Sequence, residues 1–256
     1  MDKHRIVTTS WDDGDQADGR LAECLRSRAI RGTFYIPLTP ARNRPMLSSG
    51  DIRTLSAEGF EVGAHTMSHR TLSGLSDKDL VEEVSICKPI LEDIVGAPVN
   101  MFCYPRGRYN PRVMNVVKKA GYRGARTVRM LATRANFDPF EMPTTVQLYP
   151  HRFSAYFRNA ARAHKLETVK TCISQAMRLR NWRELGETLF DMVLQNGGIW
   201  HLYGHSWEID EMGLWEDLGA LLDYVSNRKG VHYASNGEVI ELYHHQVMTK
   251  NYCKQP

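Results

Sequence analysis

The chain has 256 residues, 42% of them hydrophobic and 24% charged, which is the composition of a globular protein with ample material for a buried core. Thirty-three Lys and Arg against 29 Asp and Glu leave a formal charge of +4, too even a balance for a nucleic-acid footprint, so no nucleic-acid partner is expected. Five scattered cysteines without a CxxC spacing, no apolar stretch of membrane-spanning length and no signal-peptide character before residue 5 give the expectation of a cytoplasmic protein with reduced thiols and no membrane span.

In chain order, short apolar runs of β type alternate with helical patterns. Residues 5–11 read as a strand ending at Asp12. A helix over 21–28 places Leu21, Cys24 and Leu25 on one face, and 32–37 is a second strand. Ser48 or Ser49 caps a helix over 48–58 with Asp51 in its first turn. Residues 60–64 form a third strand with His65 at its end. A single helix opens at 75–77 and carries Leu80, Val84, Cys87 and Leu91 at helical spacing. A fourth strand over 100–105 runs into a turn at Gly107. Asn110-Pro111 starts a helix through Ala120, with Gly121 as its C-cap. Residues 125–128 read as a fifth strand, 197–204 as a late strand and 215–228 as a late helix. The region 148–196 is read as helical and arginine-rich. Alternating strands and helices imply a parallel α/β sheet, open or closed into a barrel. With no repeat and no linker visible, residues 1–256 are read as a single domain.

The chemistry-bearing residues follow predicted strands, where α/β barrels build their sites. Asp12-Asp13-Gly14 gives adjacent carboxylates that point to different sides of an extended chain, though alone it also describes a solvated loop or a helix cap. His65 and His69, four apart, fit two ligands on one helical turn, though ten histidines make a chance pair unsurprising. Thr66 ties that turn to backbone. His205 ends the late strand and suits a general acid, with Glu208 placed to orient it, while His201 is a wall histidine and His244 and His245 are surface. Cys103, within an apolar strand, is inert core.

The order of these motifs, Asp12-Asp13-Gly14, then His65-Thr66-Met67-Ser68-His69, then a Tyr104-Pro105-Arg106-Gly107 turn, then His205 after a late strand, resembles the polysaccharide deacetylase (NodB-like) family, carbohydrate esterase family four, in a divergent branch. The resemblance runs from about Ile6 to about Glu241. It implies a distorted (β/α) barrel of about seven strands and a divalent ion held by Asp13, His65 and His69, zinc first, with Co2+, Ni2+ and Fe2+ as alternatives. It implies Asp12 as the base that activates water on the metal and His205 as the acid for the leaving amine. Tyr104, Pro105 and Arg106 would line the groove, with the Arg106 backbone N–H on the oxyanion. The expected reaction is removal of an N-acyl group, acetyl foremost, from an amino sugar or related small molecule. An O-acetyl esterase, a metal-free cyclic-amide hydrolase and an inactive sugar-binding module are the alternatives. The chain departs from the family pattern at Asp15, where proline is usual, and at Cys103, which stands where an arginine usually anchors the catalytic aspartate. No aspartate-tryptophan partner motif occurs between Gly121 and Pro143. The substrate sugar and the oligomeric state are not legible.

Overall fold

Strand β1 (Arg5–Asp12) is buried from Ile6 onward, so both of its faces are covered. Its alternation sorts the interior into two layers. Val7 and Trp11 pack outward into the large apolar layer beneath the helices, together with Phe34, Leu202 and Trp200. Ile6 joins Tyr35, Met101, Cys103, Met142 and Ile199 in a smaller cluster on the other face. On that inner face Thr8, Ser10 and Asp12 alternate with the outward set and are also buried. A computed structural model describes residues 4–150 and 181–242 of the chain.

Strands β2 (Gly32–Ile36), β3 (Glu61–Ala64), β4 (Met101–Cys103) and β5 (Gly124–Arg126) follow one another from β1. On the other side lie β7 (Gly198–Gly204) and the two-residue β6 (Val146–Gln147), and every pairing is parallel. The order is β5-β4-β3-β2-β1-β7-β6, with β8 (His232–Tyr233) pairing the start of β1. The edges are bridged by one segment. Met142 N–H donates to Ala125 O at 2.9 Å on the β5 side, and Thr145 N–H donates to His201 O at 2.8 Å on the β7 side. The sheet therefore curls into the distorted barrel of seven parallel strands expected from the sequence. β6 and β8 escaped that reading because two residues carry no period.

Local chemistry explains the helices on the outer face, α1 (Asp18–Arg26), α2 (Ser49–Ala57), α3 (Asp77–Ser85), α4 (Cys87–Val95) and α5 (Pro111–Lys119). Ser48 and Asp51 form a reciprocal capping box on α2, Ser76 caps α3, and Asn110 Oδ1 accepts from Val113 N–H at 2.9 Å on α5. The single helix predicted from 75 to 91 is two helices that meet at Ile86. Pro89 is the cause, since it has no N–H for the Ser85 carbonyl and its ring crowds that carbonyl. After β6 come α6 (Trp182–Asn196), α7 (Ser206–Met212) and α8 (Trp215–Val225). Of the region 148–196, Trp182–Asn196 is helical as expected, and residues 151–180 lie outside the described residues, as do His244 and His245. Among the described residues no helix is long and apolar enough to cross a membrane.

Candidate metal centre

The carboxyl end of the barrel gathers residues from five strand ends. β1 terminates in Asp12, and the chain turns at Asp13 (φ 80°) and Gly14 (φ 61°). A left-handed aspartate is a strained conformation that persists where its surroundings fix it. Here Asp13 N–H donates to Tyr35 O at 3.1 Å, and Asp13 Oδ2 accepts from Trp207 Nε1 at 3.0 Å. The other oxygen, Asp13 Oδ1, is buried and accepts no hydrogen bond. It lies 3.3 Å from His69 Nε2 and 3.7 Å from His65 Nε2, and the three ligand atoms all fall within 4.8 Å of one another.

Both imidazoles are prepared as ligands. His65 Nδ1 is 2.9 Å from the Cys103 carbonyl, which can only accept, so the proton sits on Nδ1 and the Nε2 lone pair faces Asp13. Burial lowers the pKa of His65 and of His69, against the pull of the aspartates, and keeps them neutral. An orphaned buried carboxylate oxygen facing two neutral imidazoles fits a divalent cation. Asp12, His65 and Cys103 also converge, but burial pushes the Cys103 thiol well up, so it keeps its proton, and Asp12 is committed elsewhere.

The His65–His69 segment is not the helical turn that the spacing predicts. Thr66 (φ 70°) and His69 (φ 54°) are left-handed, and the two rings stand 4.8 Å apart at 66°. The loop is tied by its own side chains and by α3. Thr66 Oγ1 accepts from His69 N–H at 2.9 Å. Ser68 N–H donates to Glu83 Oε2 at 2.8 Å, the Ser68 hydroxyl donates to Glu83 Oε1, and Met67 N–H donates to the Glu83 carbonyl at 3.1 Å. Glu83 reads in the sequence as one more polar helix residue, and nothing short of the packed α3 reveals its task.

Across the cavity, His205 sits at the start of α7 with Nδ1 2.8 Å from Glu208 Oε2. Its Nε2 is 3.9 Å from Asp12 Oδ2 and 4.0 Å from Asp13 Oδ2. Burial works to lower its pKa, but the Glu208 hydrogen bond and the nearby carboxylates outweigh burial and raise it. His201 uses both ring nitrogens in the barrel wall, with Ser10 Oγ and the Pro143 carbonyl at 2.8 and 2.9 Å.

Asp12, Asp13, His65, His69, His205 and Glu208 line a cavity of about 530 Å3, within the range of small-molecule sites. Of the three residues in the Tyr104 turn, Arg106 lines it. The Tyr104 ring stacks on Tyr109 at 4.6 Å, and its hydroxyl donates to Phe140 O at 3.1 Å. Pro105 opens a one-turn 3-10 helix (Pro105–Gly107) in which Arg106 is left-handed (φ 56°). At Gly107 (φ 63°) a Cβ would lie 2.2 Å from Val128, so only glycine lets the turn pack there.

Residues 2–125 match the family model for polysaccharide deacetylases. That match covers just under half of the chain. The chain is 29% identical over 120 residues to a peptidoglycan-N-acetylglucosamine deacetylase of Bacillus cereus, covering 46% of this chain and 54% of the relative. It is also 29% identical over 120 residues to a chitooligosaccharide deacetylase of Azorhizobium caulinodans, covering 46% and 55%. The match thus spans about half the length of these relatives. The fold extends further. A Mycobacterium smegmatis structure regarded as a polysaccharide deacetylase superposes with a TM-score of 0.64 at 15% identity, over 96% of this chain and 92% of that one. A family 4 carbohydrate esterase from Bacillus anthracis does so with 0.56 at 15% identity, over 93% and 83%.

Against the deacetylase pattern, Cys103 stands where an arginine is usual, and the sequence reading finds the support of Asp12 missing. The structure corrects this. Cys103 and Arg126 are register partners on β4 and β5, so both side chains enter the same inward layer. The Arg126 guanidinium donates to Asp12 Oδ1, and it lies 4.7 Å from the Tyr203 ring and 5.3 Å from the Tyr35 ring. Burial works to raise the Asp12 pKa, but the Arg126 charge, with His65 and His205, holds it well below the usual carboxylate range. One signal was available: an arginine inside the buried run of β5 needs a buried anion as partner.

Proposed function

We propose that this protein is a metal-dependent hydrolase that removes an N-acyl group, acetyl foremost, from an amino sugar. The observation that carries the reading is the unpartnered Asp13 Oδ1 facing the two neutral imidazoles of His65 and His69. Those three residues would hold a divalent ion, zinc first. When bound, such an ion supplies a Lewis acid that polarises the acyl carbonyl and lowers the pKa of water. The deacetylase names of the relatives support acyl transfer from an acetamido sugar.

The chain's own residues supply the proton steps. Asp12 gives one oxygen to Arg126 and turns Oδ2 toward the cavity and His205, where it accepts the proton of the attacking water. Arg126 keeps that carboxylate ionised and fixed. His205 carries a proton on Nε2 for the leaving amine, and Glu208 on Nδ1 sets the ring's orientation and favours its protonated form. The Arg106 backbone N–H is the donor assigned to the developing oxyanion.

The test is a zinc titration of chelator-stripped protein combined with acetate release from N-acetylglucosamine oligomers. Wild type is expected to show one tight site, lost in His65→Ala. Asp12→Asn is expected to keep the site and lose about a hundredfold or more in turnover. The absence of a tight site in wild type would refute the metal centre, and full turnover in Asp12→Asn would remove Asp12 as the base.

A further inference from the structure

Two arginines in the cavity wall stand apart from the other arginines around it. Arg44 is engaged by Asp15 at 2.7 Å and by Asp210 and Glu211 at 3.6 Å, and Arg129 by Glu141 at 3.4 Å. Arg42 and Arg106 line the cavity and form no ion pair among the described residues. The carboxylates nearby are already engaged. Asp12 is held by Arg126, one oxygen of Asp13 by Trp207, and Glu208 by His205. Both residues therefore line the cavity with no carboxylate partner among the described residues.

Each arginine is also positioned. The Arg42 guanidinium lies 3.5 Å from the centroid of the Trp207 ring, and Trp207 is itself anchored by its bond to Asp13. Stacking occupies the face of the guanidinium and leaves its edge N–H groups free in the plane. Arg106 projects from a left-handed turn that Gly107 clamps against Val128. Planar forks held this way match carboxylate and phosphate oxygens, and two of them beside a divalent ion make the cavity attractive to anions.

We propose that Arg42 and Arg106 form an anion subsite, so that the substrate is an acylamino sugar bearing an oxyanion, carboxylate or phosphate, close to its N-acyl group. The inference rests on the deacetylase reading and narrows its substrate class. Zinc-loaded protein is assayed for acetate release with N-acetylglucosamine, N-acetylglucosamine 1-phosphate and N-acetylmuramic acid, whose lactyl ether carries a carboxylate. We expect kcat/KM for at least one anionic probe to exceed that for the neutral sugar by about tenfold, carried in KM. We expect that ratio to fall by about tenfold in Arg42→Gln and in Arg106→Gln. A preference confined to one anionic probe supports the subsite and assigns the oxyanion as phosphate or carboxylate. Equal values for the three probes, or a ratio that survives in the Arg42→Gln, Arg106→Gln double variant, would overturn the proposal. If none of the probes is turned over, the deacetylase reading fails by itself, and calorimetric titration with the same probes still decides the subsite. Anion-selective binding lost in the double variant supports it, and equal or absent binding overturns it.

Discussion

Asp12 is a buried carboxylate with its two oxygens assigned to different tasks, one to Arg126 and one to the cavity. Breaking such a pair from one side leaves an uncompensated charge, so Arg126→Met is expected to cost about 3–5 kcal/mol at neutral pH. The sign of the pH dependence follows from the depressed Asp12 pKa. In wild type the pair contributes stability above the unfolded carboxylate pKa, and that contribution is lost as pH falls through the folded one. Without Arg126, burial alone raises the Asp12 pKa, so the deficit of the variant narrows on acidification as Asp12 takes up a proton. Urea unfolding of both proteins across pH checks this, and a deficit that does not change with pH would dissociate Arg126 from Asp12. His205 behaves in the opposite sense. Its raised pKa favours the protonated form, and if His205 is the proposed acid, turnover is expected to fall as pH rises through that pKa. Glu208→Gln removes the largest raising influence and should move this descending limb to lower pH, which a pH–rate profile would read.

At the level of elements, the site depends on how α3 meets the loop after β3. Glu83 accepts from both the amide and the hydroxyl of Ser68, and thereby fixes a loop with two left-handed residues, one of them His69. Supporting partners of this kind typically cost 10–100-fold in metal affinity when removed, and about that loss is expected for Glu83→Ala. Isothermal titration with zinc, alongside far-UV circular dichroism to verify the fold, checks it. Unchanged affinity would show that the loop holds its shape without the Glu83 carboxylate, through Thr66 and its backbone bonds. The β4–β5 register acts similarly. Because Cys103 and Arg126 share a level, the cation can sit on either strand and still reach β1.

For the molecule as a whole, the proposed ion would join the end of β1 to the loop after β3, two segments otherwise linked through β2. A ligand that binds only the folded chain stabilises it by mass action, about 2.7 kcal/mol at free metal a hundred times Kd. Chelation is therefore expected to lower the Tm of wild type and to leave that of His65→Ala unchanged. Scanning calorimetry with and without chelator measures both, and a Tm indifferent to chelation in wild type would count against a resident metal at this site.

The sequence alone determined the alternation of strands and helices, the placement of Asp12, Asp13, His65 and His205 at strand ends, and the helix starts at Ser48 or Ser49, at 75–77 and at Asn110. These are legible because they are local: a period, a capping side chain or a glycine acts within a few residues. Pro89 was equally legible as a helix break, and the helical pattern running through it hid the signal. The tertiary structure decided the rest. Arg126 meets Asp12 across 114 residues of chain, and Trp207 meets Asp13 across 194. Such contacts follow from which strands neighbour one another and in which register, and a one-residue slip would turn Arg126 out of the barrel. The same holds for Arg42, an unremarkable loop residue until the fold lays it over Trp207 in the cavity shared with Asp13, His65 and His69.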